Sequence, residues 1–405
     1  MIVSVEGNGA GHQRPAKGGG KMKDHTKDRT TQQLHRHHSL RALLRMGVIF
    51  VLLLVFCGAS VYAAGTSTQT RAAKILSKMS MNEKIAQMMM VSFPASDAVK
   101  IQKKNQFGGY LLFGRDFKNS TKKKMRAKLS SCQKVSKRDM LMAVDEEGGT
   151  VVRASLYSQF RKQKFRSPRA VYQAGGYSGI VSDTRAKDRF LKSLNINCNL
   201  APVADVAYKK SNFIYSRSFS TKAGKTKKFI KLTVRQMGKD KVVSTLKHFP
   251  GYGGNGDTHG RIIRDRRSLN TFKTRDLKPF AAGIKEGTDM IMVSHTIVYA
   301  FDSKRPASLS KKVHRYIRKE MNYDGVLITD GLGMKGITDF VKGDAGEASV
   351  RAIQAGNDML CVTGDYKQVL RALKKAVKQG RISEKQIDRS VTRILTMKLN
   401  RGIIR

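Results

Sequence analysis

The stretch VLITD, residues 326–330, is four strand-forming residues closed by a carboxylate, and GLGMKG at 331–336 follows at once. Its hydrophobicity is continuous rather than alternating, which marks a strand covered on both faces, as in a parallel sheet whose crossovers are helices. Seven other runs share the plan: Gln87 to Phe93, Gly108 to Phe113, Leu141 to Asp145, Ile196 to Val203, Val242 to Phe249, Met290 to His295 and Met359 to Thr363. Between them, Lys227 to Lys239, Leu277 to Glu286, Lys311 to Glu320 and Gly346 to Ala355 carry apolar residues three or four apart, the spacing of crossover helices. Eight strands alternating with helices fit an α/β chain of either the (β/α)8 TIM-type barrel or the doubly wound open sheet. The strand ends separate the two. Asp145-Glu146-Glu147, Asp205, Lys247-His248, Ser294-His295, Asp330 and Asp365 all stand at C-terminal ends of runs. A barrel gathers such groups at one face and an open sheet spreads them along an edge, so the reading is a single (β/α)8 barrel domain over residues 65–405.

Outward from the barrel, the chain has 405 residues, 78 Lys+Arg against 30 Asp+Glu, a formal charge of +48 and 40% hydrophobic residues, which excludes wholesale disorder. Residues 1–45 hold five of the nine histidines and nine Lys/Arg against three Asp/Glu, with no apolar periodicity, and read as a disordered basic tail. Its His35, His37 and His38 belong to that basic segment rather than to a metal site. Met46 to Ala64 is uncharged and flanked by Arg41 and Arg45 on its N-terminal side only, the pattern of an export signal peptide or a retained transmembrane anchor. Small residues around Val61-Tyr62-Ala63 suit cleavage, whereas bulky Phe56 argues against a lipid on Cys57. The expectation is a domain working outside the cytoplasm, extracellular or anchored facing the cell wall. Most of the positive charge lies on that domain, so anionic wall polymers or an anionic membrane surface are the expected polyanionic partners. No nucleic-acid motif accompanies the charge. Cys132, Cys198 and Cys361 are expected as buried free thiols.

Three segments carry chemistry. LKHFPGYGGNGDTH, residues 246–259, leaves a strand with Lys247 and His248 and runs through glycines to Asp257-Thr258-His259, a loop suited to closing over a ligand. A carboxylate two residues from an imidazole sets its tautomer and favours the imidazolium, giving an acid/base pair. Asp330 ends its strand as a nucleophile, a metal ligand or a helix N-cap, and with no second ligand nearby in sequence the metal reading is weak. MAVDEEGGTVVR, residues 142–153, sets Asp145 and Arg153 around a glycine pair, groups that hold hydroxyl-rich ligands; Arg217, Lys247 and His248 add donors. No metal site and no cofactor are expected.

Taken together, KHFPGYG with its Asp-Thr-His, DEEGGTVVR, NLAPVADV, RSFS and ITDGLGMKG resemble the motifs of the single-domain β-N-acetylhexosaminidases of glycoside hydrolase family 3, over about residue 70 to the C-terminus. The resemblance implies Asp330 as the nucleophile of a glycosyl-enzyme, His259 as general acid/base with Asp257 as its partner, and Asp145, Arg153, Arg217, Lys247 and His248 as sugar-hydroxyl ligands. It implies hydrolysis of terminal β-linked N-acetylglucosamine, from peptidoglycan or chitin-type fragments. Phosphorolysis and β-glucoside cleavage are alternatives, since an imidazole acid does not repel phosphate as a carboxylate would. The chain departs from the pattern in two places: the usual DQEGG reads DEEGG, placing Glu146, and PGHG reads PGYG, placing Tyr252. No second sheet domain that supplies a Glu acid in larger relatives is expected.

Two readings from other classes stand beside this one. A catalytically silent barrel adhering to the wall by charge would be expected to lack Asp330 or His259, and both are present. A metal-dependent hydrolase would be expected to show His-x-His or clustered carboxylates after the first strands. His295 is either a structural histidine of the rim or a substrate contact, and Met88, Met89 and Met90 are core.

Overall fold

The computed structural model describes residues 67–404. Eight parallel strands are β1 (Met89–Ser92), β2 (Gly109–Leu112), β3 (Leu141–Val144), β4 (Cys198–Asn199), β5 (Val243–Phe249), β6 (Met290–Val293), β7 (Val326–Thr329) and β8 (Leu360–Val362). Each pairs with the next from β1 to β7, and β8 pairs back onto β1 through Met89/Leu360, Met90/Cys361 and Val91/Val362. A parallel bridge between Ile328 and Met359 joins β7 to β8 and closes the ring. The expected barrel is therefore present, with all eight runs in their expected places. Every residue of β2, β3, β5, β6 and β7 is buried, which is why those runs do not alternate.

The helices cover this ring by one apolar face each. In Ala223–Lys239, Phe229, Ile230, Val234 and Met237 are buried while Lys231 and Arg235 between them face out. Each such side chain contributes about 1.5–3 kcal/mol by leaving water. Helix starts follow local chemistry: Ser80 and Glu83 form a capping box before Met81–Gln87, and Ser310 caps Lys311–Arg315. Cys132, Cys198 and Cys361 are buried free thiols, as expected, and Met88, Met89 and Met90 are core.

Three features depart from the expectation. The run from Ile196 to Val203 pairs as a strand only at Cys198 and Asn199, with one further bridge from Val203 to Lys247, because Pro202 has no N–H for the ladder. Asp365, counted among the strand-end groups, is the N-cap of helix Tyr366–Lys378, its Oδ1 accepting from the Lys367 amide at 2.8 Å. A second small ladder, Arg264–Asp265 beside Ile297–Val298, ties the loop after β5 to the loop after β6. The tail 1–45 and the apolar segment 46–64 lie outside the described residues. No helix among those described is long and apolar enough to cross a membrane.

Asp188, buried in helix Pro168–Ser193, has an Oδ2 with no hydrogen-bond partner. Burial, reinforced by the Asp240 carboxylate, pushes its carboxyl up to about 8. Between about pH 4, where it titrates unfolded, and about pH 8, the folded chain holds a proton that the unfolded chain has released, so rising pH destabilises the fold across that window. Thermal unfolding from pH 5 to 8 should show wild type losing stability relative to Asp188→Asn as pH rises; parallel curves would contradict the assignment.

Candidate active site

At the C-terminal end of the barrel, the loops after the strands enclose a cavity of about 600 Å³ lined by Asp145, Arg153, Arg217, Lys247, His248, Asp257, His259 and Asp330. All eight residues singled out in the sequence reach this one cavity, although they come from four strand ends or the βα connections that follow them, at β3, β4, β5 and β7.

One wall is a network of ions. The Lys247 ammonium, at the buried end of β5, donates to Asp145 Oδ1 and to Glu147 Oε1, both at 2.6 Å. Burial works against that charge, but Asp145 and Glu147 outweigh it and hold the ammonium above the usual lysine value. Arg217 clamps Glu147 with Nε at 3.0 Å and Nη2 at 2.7 Å. Glu147 is itself buried, and its two cations keep it far below the usual carboxylate range despite burial. His248 lies between Asp205 Oδ2, 2.7 Å from Nδ1, and Arg217 Nη2, 3.2 Å from Nε2. Arg153 closes the wall with Nη2 at 3.7 Å from Asp145 Oδ2, and its buried Nε has no hydrogen-bond partner. These charged side chains are fixed by one another, which preorganises donors and acceptors for sugar hydroxyls.

Asp330 lines the same cavity. Its Oδ1 accepts from the Gly331 amide at 2.8 Å, while the buried Oδ2 has no hydrogen-bond partner. The next helix, Lys335–Thr338, has Met334 at its N-cap, so the capping role considered for Asp330 is not the one it plays. One carboxylate oxygen is held and the other is unpartnered. Burial pushes this carboxyl up, but the imidazoles of His248, His295 and His259 and the Gly331 amide outweigh burial and hold it below the usual value. His295 proves to be a rim residue: Nε2 donates to the Gly331 carbonyl at 3.1 Å and Nδ1 lies 2.8 Å from Ser308 Oγ.

His259 reaches the cavity from the loop after β5, with Nδ1 2.6 Å from Asp257 Oδ1. That contact places the Nδ1 proton toward the carboxylate and leaves Nε2 for proton transfer. The loop expected to close over a ligand is held here by two backbone ties: the Gly336 amide donates to the Thr258 carbonyl at 2.8 Å and the Lys335 amide to the His259 carbonyl at 3.3 Å. Asn255 holds its middle, donating to Asp265 Oδ2 at 2.7 Å.

The three consecutive acids after β3 do different work. Only Asp145 faces the cavity. Glu147 is the hub between Lys247 and Arg217, and Glu146 is fully buried under the next loop, accepting from the Arg153 and Ala154 amides at 3.1 and 2.9 Å and from the Ser155 hydroxyl. An amide there would keep one oxygen for the two backbone amides and donate its NH2 to the Ser155 hydroxyl, losing only the charge on the acceptor. Glu146→Gln should therefore lose about 1 kcal/mol of stability, read as a slightly lower Tm, with KM close to wild type. A raised KM at unchanged Tm would place Glu146 on the substrate instead. Glu147 and Asp205 are the positioning residues that the sequence reading left out of the site. Both stood among its strand-end carboxylates, and the signal available was that buried Lys247, Arg217 and His248 each require a carboxylate partner.

Residues 80–397 match the family described as glycosyl hydrolase family 3 N terminal domain. The chain belongs to glycosyl hydrolase family 3. Among curated family 3 relatives, a beta-hexosaminidase of Methylococcus capsulatus is 32% identical over 261 residues, covering 63% of this chain and 75% of that protein. Among solved structures, a family 3 beta-N-acetylglucosaminidase from Paenibacillus superposes with a TM-score of 0.75 at 31% identity, over 80% of this chain. This chain spans 63% of that longer one. M. tuberculosis LpqI superposes with a TM-score of 0.74 at 28% identity, covering 81% of this chain and 96% of its own.

Proposed function

We propose that this family 3 chain is a retaining exo-glycosidase that removes terminal β-linked N-acetylglucosamine, from peptidoglycan or chitin-type fragments. The observation that carries the reading is the pairing, in one cavity, of a carboxylate with one oxygen held and one free and an imidazole whose Nδ1 is taken by a carboxylate. The names borne by the Methylococcus and Paenibacillus relatives support the choice of sugar.

In the first step Asp330 Oδ2 attacks the anomeric carbon, and the glycosidic C–O bond breaks as His259 gives its Nε2 proton to the departing oxygen. Neutral His259 then takes a proton from water, whose oxygen attacks the same carbon and returns Asp330 as a carboxylate. Asp145, Arg153, Lys247, His248 and Arg217 hold the ring hydroxyls through both steps, so their binding energy orients the anomeric carbon.

The test is hydrolysis of a chromogenic β-N-acetylglucosaminide beside the matching β-glucoside by the full chain, with and without phosphate. Preferred cleavage of the N-acetyl substrate, independent of phosphate, supports the reading. Preferred glucoside cleavage, or strict dependence on phosphate, would replace it.

Export and adhesion belong to the same proposal. The helices Ala98–Asn105 and Lys122–Lys134 carry nine Lys/Arg and no Asp or Glu. None of those nine enters an ion pair given for the described residues. Such a flank favours contact with anionic wall polymers or anionic lipid, and the uncharged segment 46–64 would deliver the domain there. Cell fractionation finding the chain only in the cytosol would contradict this part.

A further inference from the structure

The catalytic steps leave one pair of buried hydroxyls unused. Tyr252 stands where the chain departs from the family pattern, and its ring is buried against His248 and Phe213, at centroid distances of 5.0 and 5.7 Å. Its amide donates to Asp205 Oδ1 at 2.7 Å, and its carbonyl accepts from the Asn255 amide at 3.0 Å. The backbone is thus bound on both sides and the ring is packed, so the phenol oxygen is a fixed point on the barrel wall. It lies 2.6 Å from Thr258 Oγ1.

Thr258 sits between Asp257 and His259, and it is fully buried although both neighbours are not. Its carbonyl is bound by the Gly336 amide, six residues past the nucleophile, at 2.8 Å. A Cβ on Gly336 would stand 2.8 Å from that carbonyl oxygen, so this approach requires glycine. The His259 side chain is 62% exposed and Asp257 is its one hydrogen-bonding partner among the described contacts. Packing therefore does not hold the imidazole; the backbone at Thr258 does, in a loop with glycine at 251, 253, 254, 256 and 260.

We infer that the Tyr252–Thr258 hydroxyl pair is a clasp that sets where His259 delivers its proton, making Tyr252 and Thr258 positioning residues of this glycosidase. Asp205 extends the clasp, since the same carboxylate binds the His248 ring and the Tyr252 amide. The sugar wall and the acid loop therefore share one anchor. The inference rests on the proposed function, and its test separates the two.

The test compares kcat/KM of the full chain on two β-N-acetylglucosaminides, a nitrophenyl glycoside whose leaving group departs as a stable anion and a disaccharide whose leaving oxygen needs a proton. Tyr252→Phe and Thr258→Val should each lower kcat/KM on the disaccharide about 10-fold, the effect of one buried hydrogen bond on a proton-transfer geometry. The nitrophenyl substrate should change less than about 2-fold. Because both hydroxyls serve one contact, the double variant should be no worse than the worse single, and Thr258→Ser, which keeps the hydroxyl, should stay within about 2-fold of wild type. Equal losses on both substrates, multiplied losses in the double variant, or no loss would overturn the clasp. Should one variant melt below assay temperature, the other single variant and Thr258→Ser still decide. If His259→Ala itself shows no dependence on leaving group, the proposed function fails. If it does and Tyr252→Phe does not, only the clasp fails.

Discussion

Asp330→Ala is expected to lower kcat/KM for the N-acetylglucosaminide on the order of 10⁵-fold while leaving the fold intact. In the proposed mechanism this carboxylate supplies the attacking oxygen of the first step, so its loss removes a covalent route rather than weakening one. The remaining wall of Asp145, Lys247, Arg217 and His248 still binds the sugar, and KM should therefore change little. Stability should not fall far, because Asp330 Oδ2 has no hydrogen-bond partner to lose and Oδ1 accepts a single amide. The pH profile of wild type carries the same assignment. Asp330 must be ionised to attack, and the imidazoles around it hold its carboxyl below the usual range. In kcat/KM, which reports the first step alone, activity should thus persist as pH falls through the ordinary carboxylate value and be lost only below it. An alanine variant retaining more than about a hundredth of wild-type activity would remove Asp330 from the nucleophile's role.

The second large effect is expected at His259. His259→Ala should lower kcat/KM about 10²–10⁴-fold on a disaccharide, the span of general acid catalysis. A nitrophenyl substrate should still form the glycosyl-enzyme and then stall, because no base remains to activate water. Azide attacks without a base, so its addition should restore turnover of the nitrophenyl substrate and yield a β-glycosyl azide. That product distinguishes loss of the acid/base from loss of folding. If azide neither accelerates the variant nor appears in the product, the base is another group. Among the described residues Asp257 hydrogen-bonds only to His259, at its Nδ1 and its amide, 2.6 and 2.9 Å away.

Most of the fold was legible because both-face burial leaves a signal that survives in one sequence. VLIT and its seven counterparts are continuous apolar runs, and each became a strand of the ring. The site was legible for a related reason. Its residues sit at strand ends, and a closed barrel brings such ends together whatever their distance along the chain. What could not be read is pairing across that distance. Lys247 meets Glu147 and Asp145 about a hundred residues upstream, and His248 meets Asp205 forty-three residues upstream. Three acids in a row after β3 give no period from which to tell the one facing the cavity from the one under the loop. Asp330 alone, from sequence, leaves a helix cap open as an alternative; the Met334 cap of the next helix decides against that. The glycines of the loop after β5 suggest a segment that closes over a ligand, and the ties of Tyr252, Asn255, Lys335 and Gly336 within and onto it come from side chains and amides that no local pattern announces. The shortened β4 was the exception that local chemistry did contain, in Pro202.

The most direct test of the central claim is to trap the intermediate. The full chain would be incubated with a fluorinated N-acetylglucosaminyl fluoride, whose ring fluorine slows both steps while the fluoride leaves readily, and then digested and mapped by mass spectrometry. Wild type should lose activity stoichiometrically with one glycosyl group on the peptide containing Asp330, and Asp330→Ala should take no label. Label on another carboxylate, or turnover by wild type with inversion at the anomeric carbon and no label, would contradict it.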